Sequence, residues 1–254
     1  MPKGRFAQLT SWSYSVYTAY IKCPFAVCLD KIQRVRIIEP PNPNFAKGNR
    51  SHEIADAFIS GPGRKRPALT EVVQVPGGRD TVKVDLTSIE DDLISLREKK
   101  ARTEQNWAFD KRWMPVDWRD WDNAWLRIKT DACADTLEPP TVDIVDWKTG
   151  RVYDDHRQQR SLYALGGLRL VQLGALAGGS KKVQLTVHHV YTDTGQSATE
   201  RFQMKHLEPL KREWLTRIKG MMSDTVFDAR PSQHNCKYCK FNAKRAGGPC
   251  KSGV

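Results

Sequence analysis

Residues 125–163, WLRIKTDACADTLEPPTVDIVDWKTGRVYDDHRQQRSLY, decide how this chain folds. Val142-Asp143-Ile144-Val145-Asp146-Trp147-Lys148 is mostly apolar and β-branched, as in a strand buried on one or both faces. Leu126 to Asp131 alternates apolar with polar residues, the pattern of a half-buried strand. A turn between Thr136 and Pro140 folds the first strand back antiparallel to the second. Side chains two apart on a strand share a face, so Asp146 and Lys148 point one way and Trp147 the other. Asp131 then comes within reach of a cation that Asp146 also binds. A helix follows. Asp154-Asp155-His156 offers its N-cap, and Leu162, Leu165, Leu168, Leu170 and Val171 form its apolar face. Gln159 and Tyr163, four apart, share one side of that helix.

Two carboxylates and a lysine at paired strands are what is needed to hold a divalent cation against a phosphodiester. Mg²⁺ and Mn²⁺ take hard oxygen ligands, and a nearby lysine orients a water or offsets charge developing on phosphorus. Taken singly, each residue has a plainer reading: strand-end charges on a solvated face, a surface amide at Gln159, a core aromatic at Tyr163. Upstream, Gly48 to Ile59 reads as an amphipathic helix with His52, Asp56 and Ile59 at helical spacing. A lone histidine is more commonly a structural hydrogen-bonder, but a neutral imidazole also completes a carboxylate metal site.

In order along the chain stand Gly48-x-x-x-His52, Asp131, Asp146-Trp147-Lys148-Thr149-Gly150 and Gln159-x-x-x-Tyr163. This ordered set resembles the motifs of RecB-like nucleases of the PD-(D/E)XK superfamily, which includes the RecB and AddB nuclease domains and the CRISPR-associated adaptation nucleases. The segment Ser13 to Phe25 resembles that family's N-terminal helix, which ends in Cys-Pro and an aromatic. The likeness spans about residues 10 to 250. It implies a restriction-endonuclease-like α/β core with a central mixed sheet flanked by helices. It further implies metal ligation by His52, Asp131, Asp146 and the Trp147 carbonyl, with Lys148 acting on the attacking water. Gln159 and Tyr163 would position the lysine and the DNA backbone.

Six cysteines occur, at 23, 28, 133, 236, 239 and 250. Cys236-Lys-Tyr-Cys239, with Cys250 close behind, invites a soft-metal site in a basic tail. Some RecB-like nucleases carry an iron–sulfur cluster on the cysteine of the N-terminal Cys-Pro and three C-terminal cysteines. Cys23, Cys236, Cys239 and Cys250 match that set, so a [4Fe-4S] cluster would clasp the two ends of the chain. The gap from Cys239 to Cys250 is longer than the family's usual spacing, and Gly247-Gly248-Pro249 is the turn that would close it. Zinc on the thiolates, with His234 as a spare ligand, and plain reduced thiols stay open beside the cluster. Cys28 and Cys133 read as small buried residues.

The chain of 254 residues suits one sizeable domain with a small appendage, and its 41 Lys and Arg against 29 Asp and Glu give a net charge of +12. That balance favours a polyanionic partner, nucleic acid before membrane. Basic groups stand at Gly63 to Arg66, Arg97 to Arg102, Lys111-Arg112 and Lys240 to Lys251. Among the tryptophans at 107, 113, 118, 121 and 125, at least half read as core and the rest as stacking surfaces for unpaired bases. No stretch approaches the roughly 20 apolar residues that span a bilayer. The start lacks a signal-peptide core, which places the thiols in a reducing cytoplasm. Other expected elements are helices at 11–29, 88–105 and 206–224, strands at 70–75, 182–192 and 199–204, and a helical flap in the Asp-, Trp- and Arg-rich stretch before the catalytic strands.

The expected organisation is a nuclease domain over 1–230 and a cysteine-rich tail over 231–254, packed on the Cys23 segment. The expected activity is metal-dependent DNA hydrolysis, exonuclease before site-specific endonuclease, on single- or double-stranded ends. It belongs in recombination, repair or end processing, and a phage or mobile-element setting fits. A nuclease-fold protein that only binds DNA and a zinc-stapled nucleic-acid adaptor are the alternatives.

Overall fold

The computed structural model describes residues 5–62, 66–150 and 156–254, with backbone only at 245 and 246. Helix α1 (Tyr14–Lys22) starts on Ser13, whose Oγ accepts from the Val16 N–H. It stops at Cys23, which is extended because Pro24 disfavours a helical residue before it. One turn of helix, α2 (Pro24–Val27), and a π-turn at Cys28–Ile32 complete what the sequence suggested as a single helix. Helix α3 (Pro43–Ser60) begins on an Asn42 cap with Pro43 in its first turn, where a missing N–H costs nothing.

The central sheet has six strands: β3 (Arg102–Phe109), β4 (Pro115–Val116), β5 (Leu126–Leu137), β6 (Pro140–Lys148), β7 (Gln184–Tyr191) and β8 (Gln196–Phe202). Their order is β4-β3-β5-β6-β7-β8, and every pairing is antiparallel except β6 with β7. That mixed sheet is the expected one. A separate hairpin joins β1 (Thr70–Gln74) and β2 (Thr81–Asp85), the second of which the sequence reading missed. Helices α3 and α4 (Glu90–Glu98) cover one face of the sheet, burying Ile54, Phe58, Leu93 and Trp147. The other face carries α5 (His156–Gln172), α6 (Leu207–Ser223) and α1, with Ile144, Leu165, Leu185 and Trp214 between. Two short helices, α7 (Gln233–Lys237) and α8 (Ala243–Ala246), finish the chain.

Helix α5 lies unusually close to the sheet because of two consecutive glycines. A Cβ on Gly166 would stand 2.6 Å from Ile128 Cδ1, and one on Gly167 would stand 2.6 Å from Leu185 Cδ1. That close approach brings Gln159 and Tyr163, one to two turns earlier, down onto the end of β6.

Two expectations are corrected. The helix expected over 88–105 ends at Glu98, and its second half is strand β3. Lys100 takes a left-handed φ of 54°, which stops the helix, and the residues after it pair with β5 across the sheet. The stretch before β5 forms turns and the short β4, with no helical flap among the described residues. Its Asp side chains explain this: Asp110, Asp117 and Asp120 each accept backbone N–H groups two to four residues on, closing turns in place of helix. The N-cap residues Asp154 and Asp155 and the basic residues Arg64 and Lys65 lie outside the described residues.

Candidate active site

Strands β5 and β6 pair with Ala132 opposite Val145, so the next residues along the ladder, Asp131 and Asp146, face each other. Both are buried, 7% and 5% exposed. Charges so placed require partners, and the strands supply them locally. Asp131 Oδ2 accepts from the Trp147 N–H at 2.7 Å, and its Oδ1 lies 3.2 Å from His52 Nδ1 on α3. Asp146 Oδ1 accepts from the Tyr163 hydroxyl at 2.8 Å, and its Oδ2 lies 2.6 Å from Lys148 Nζ. Lys148 also donates to Gln159 Oε1 at 2.9 Å, while Gln159 Nε2 donates to the Tyr163 oxygen at 2.7 Å. The structure thus brings together His52, Asp131, Asp146, Lys148, Gln159 and Tyr163, residues spread over 112 positions of sequence (163 − 52 + 1).

The two carboxylates are set apart electrostatically. Burial raises the Asp131 pKa, and the neighbouring Asp146 charge raises it further, against the opposing pull of His52. Asp146 is lowered: burial opposes its charge, but the Lys148 ammonium and the Tyr163 hydrogen bond prevail. Burial would lower His52, yet its hydrogen bond and charge contact with Asp131 win and raise it. Burial and the two carboxylates push Tyr163 well above its ordinary value, which keeps it a hydrogen-bond donor.

Sequence reasoning missed two residues here. Glu104 on β3, together with His52 and Asp131, offers ligand atoms all within 4.8 Å of one another. Its φ of 50° is left-handed, a strained conformation for a side-chain-bearing residue. At this level the strand alternation breaks: Leu126 and Ile128 face α5, whereas Ala132 and Ala134 face α3. Glu104 falls in the stretch misread as helix, so no periodicity signalled it.

The second is His189, wholly buried on β7 and paired with Asp146 in the ladder. Burial depresses its pKa to about 3, so the ring is neutral. Arg160 Nη1 lies 3.3 Å from His189 Nδ1. Arginine only donates, so the ring proton sits on Nε2, 3.8 Å from Asp146 Oδ2. Arg160 Nε in turn stands 3.6 Å from Glu200 Oε2. The parallel pairing of β6 with β7 is a tertiary fact that local sequence does not encode.

The donor set fits a hard divalent ion. One imidazole nitrogen of His52 and one oxygen each from Glu104 and Asp131 converge within 4.8 Å, and Asp146 stands across the ladder from Asp131. Trp147 buries its ring among α3 and α4 residues, on the side opposite Asp146, as strand alternation requires.

Four of the cysteines gather in a cavity that none of these site residues lines. Cys23, Cys236, Cys239 and Cys250 line one cavity of about 270 Å³. Cys23 Sγ accepts from the Arg230 N–H at 3.5 Å, and Asn235 Nδ2 donates to the Lys22 carbonyl at 3.2 Å. The long Cys239–Cys250 gap closes as the Gly-Gly-Pro turn requires. Gly247 is left-handed at φ 63°, Gly248 packs where a Cβ would meet Phe241 O at 2.4 Å, and the Cys250 N–H returns to Phe241 O at 2.9 Å. Cys28 and Cys133 are buried, and burial drives the Cys133 thiol up to about 12.

Residues 11–243 match the PD-(D/E)XK nuclease superfamily, and the chain belongs to it. The chemistry of that superfamily is metal-dependent hydrolysis of phosphodiester bonds in nucleic acid. No curated protein matches the chain. Among solved structures, the crystal structure of SSO0001 aligns with 98% of this chain and 89% of that one, at 12% identity and a TM-score of 0.34. A likeness at that level supports no conclusion. Among the described residues, no helix is long and apolar enough to cross a membrane.

Proposed function

We propose that the protein is a Mg²⁺- or Mn²⁺-dependent deoxyribonuclease of the RecB-like type, working as an exonuclease in recombination, repair or end processing. The observation that carries this reading is the buried juxtaposition of Asp131 and Asp146 with His52 on one side and Lys148 on the other. His52, Asp131, Asp146 and the Trp147 carbonyl would hold the ion, with Glu104 within reach. When bound, the ion supplies Lewis acidity at phosphorus and lowers the pKa of water.

The protein groups do the placing. Lys148, fixed between Asp146 and Gln159, aims its ammonium at the attacking water and offsets charge on the phosphoryl oxygens. Gln159 and Tyr163 hold the lysine and Asp146 in register, and by the family resemblance would also help to place the DNA backbone. Each turnover adds one water across a P–O bond, leaving a phosphomonoester and a hydroxyl.

The tail over 231–254, distinct from the nuclease domain over 1–230, would clasp a [4Fe-4S] cluster with Cys23. The gathering of Cys23, Cys236, Cys239 and Cys250 around one cavity supports a site of four thiolates, with zinc as the alternative occupant. All six thiols are unbridged, which suits a reducing cytoplasm.

The test is hydrolysis of end-labelled DNA by purified Asp146→Ala and Lys148→Ala proteins with Mg²⁺ or Mn²⁺. Each variant is expected to lose about 10³-fold or more in rate. Unchanged cleavage in both would end the assignment.

A further inference from the structure

A cleft of about 790 Å³ opens beside the candidate site, and Gln159, Tyr163 and Lys129 form its inner end. The first two bond Lys148 and Asp146, and Lys129 Nζ pairs with Glu104 at 2.5 Å, so the cleft runs directly up to the carboxylates. Its volume lies within the range of about 300–1,000 Å³ typical of ligand clefts. Four cations line it (Lys31, Arg34, Arg127 and Lys129), and among the described residues no Asp or Glu does. Polar hydroxyls and aromatic rings make up much of the rest.

The outer rim carries Trp121, which is 74% exposed. An indole of that size in water calls for an explanation, and its surroundings supply one. The Arg127 guanidinium sits 4.7 Å from the Trp121 ring centroid and 5.9 Å from that of Trp118. Three backbone carbonyls of the same loop, at Trp118, Asp120 and Ala124, each hold that guanidinium at 3.2 Å. Arg127 is thereby anchored from strand β5 and braces the indole from one side, a cation–π contact that fixes the ring before any ligand arrives. The stacking surface is prepared, cationic behind and open in front.

We infer that this cleft is a track for a single-stranded polynucleotide, with an unpaired base stacked on Trp121 and the backbone led past Arg34 to the carboxylates. Charge complementarity selects a polyanion. The exposed ring selects the unpaired strand, because duplex bases are stacked on one another and turn only their edges outward. The inference rests on the nuclease reading for the identity of the inner site, but the track binds strand whether or not hydrolysis follows.

The experiment measures, in EDTA, fluorescence anisotropy of a labelled strand of about 20 thymidines and of a blunt duplex of the same length. Trp121→Ala is expected to weaken strand binding about tenfold or more and duplex binding by less than about twofold, since one base stack is lost. Trp121→Phe, which keeps a ring, is expected to restore most of the strand affinity. Because Trp121 is exposed, an unchanged melting temperature confirms that the variants fold. Strand affinity unchanged in Trp121→Ala, an equal loss on strand and duplex, or no strand binding by the native protein would each overturn the track. Failure of the nuclease reading shows separately, as Trp121-dependent binding without cleavage when Mg²⁺ or Mn²⁺ is added.

Discussion

The molecule gathers two sets of metal-type ligands, and they are built in opposite ways. At the sheet, Asp131 and Asp146 sit mid-core on adjacent strands, and most of their partners hold them by hydrogen bonds that exist without any ion. At the chain ends, Cys23 stands at the break between α1 and α2, Cys236 in the five-residue α7, and Cys239 and Cys250 in the turns that follow α7 and the four-residue α8. Such short helices are marginal alone. The hard-donor centre is therefore preorganised by a fold that stands without it. The cysteine end rests on these short elements and on scattered ties such as Asn235 to the Lys22 carbonyl and Lys240 to Asp30, so a bound cluster would add much of its stability. The teaching is that disturbing the first should change chemistry and spare stability, while disturbing the second should do the reverse.

The sharpest way to break this contrast is His189. Its neutral ring stands with Nε2 3.8 Å from Asp146 Oδ2, close enough that it is expected to position that carboxylate at the sheet centre. His189→Leu is expected to raise the Mn²⁺ concentration for half-maximal cleavage by about 10- to 100-fold, as loss of an outer partner of a metal ligand does. His189→Gln, which keeps a donor near the Nε2 position, should recover most of that. Equal loss in both variants with a lowered melting temperature would make the residue a packing element only.

The converse arm is Cys250→Ser or Cys23→Ser. The visible absorbance of an iron–sulfur cluster should vanish and the melting temperature fall by about 5 °C, roughly what losing 2 kcal/mol does in a domain of this size. Cleavage per folded molecule should persist at low temperature. Zinc in place of iron on elemental analysis would revise the clasp, and unchanged stability would remove it.

A smaller effect separates the clasp from the ordinary ties beside it. Asp224, just past α6, accepts from the Tyr20 hydroxyl at 2.7 Å and from the Val226 N–H at 2.8 Å. Burial opposes its charge, but these hydrogen bonds lower its pKa, while burial and Asp224 push Tyr20 up to about 12. Asp224→Ala should cost about 1 kcal/mol near neutral pH. A lowered folded pKa gives stability that is full above the unfolded carboxylate value of about 4 and is lost as pH falls below it. The native-to-variant difference in urea unfolding should therefore shrink under acid. A constant difference would show that the carboxylate charge is not responsible.

Much of the centre was legible because strand alternation and helical spacing are local. Asp146 and Lys148 share a face by period two, Gln159 and Tyr163 by one helical turn, and the structure bonds all four together. The cysteine grouping was legible from residue type and order, down to the Gly-Gly-Pro turn that returns Cys250. Reading failed where the deciding force was distant. Strand β3 looked helical because Leu93 and Leu96 begin a helical pattern that Lys100 then ends. Glu104 was hidden in that misreading. His189 was hidden because its pairing with Asp146 depends on a crossover through α5. Of the five clustered tryptophans, Trp113 and Trp125 are buried while Trp121 stays in water. The pattern alone could not say which, since Asp-closed turns set their directions.

The most direct test of the account is anomalous diffraction from crystals soaked in Mn²⁺. One strong peak is expected between His52, Asp131 and Asp146, about 2.0–2.4 Å from their ligand atoms, and it should disappear in Asp131→Asn protein. A peak bound elsewhere, or no peak in native crystals that hold Mn²⁺ at saturating concentration, would contradict the claim that this fold brings those three side chains together to hold a single hard ion.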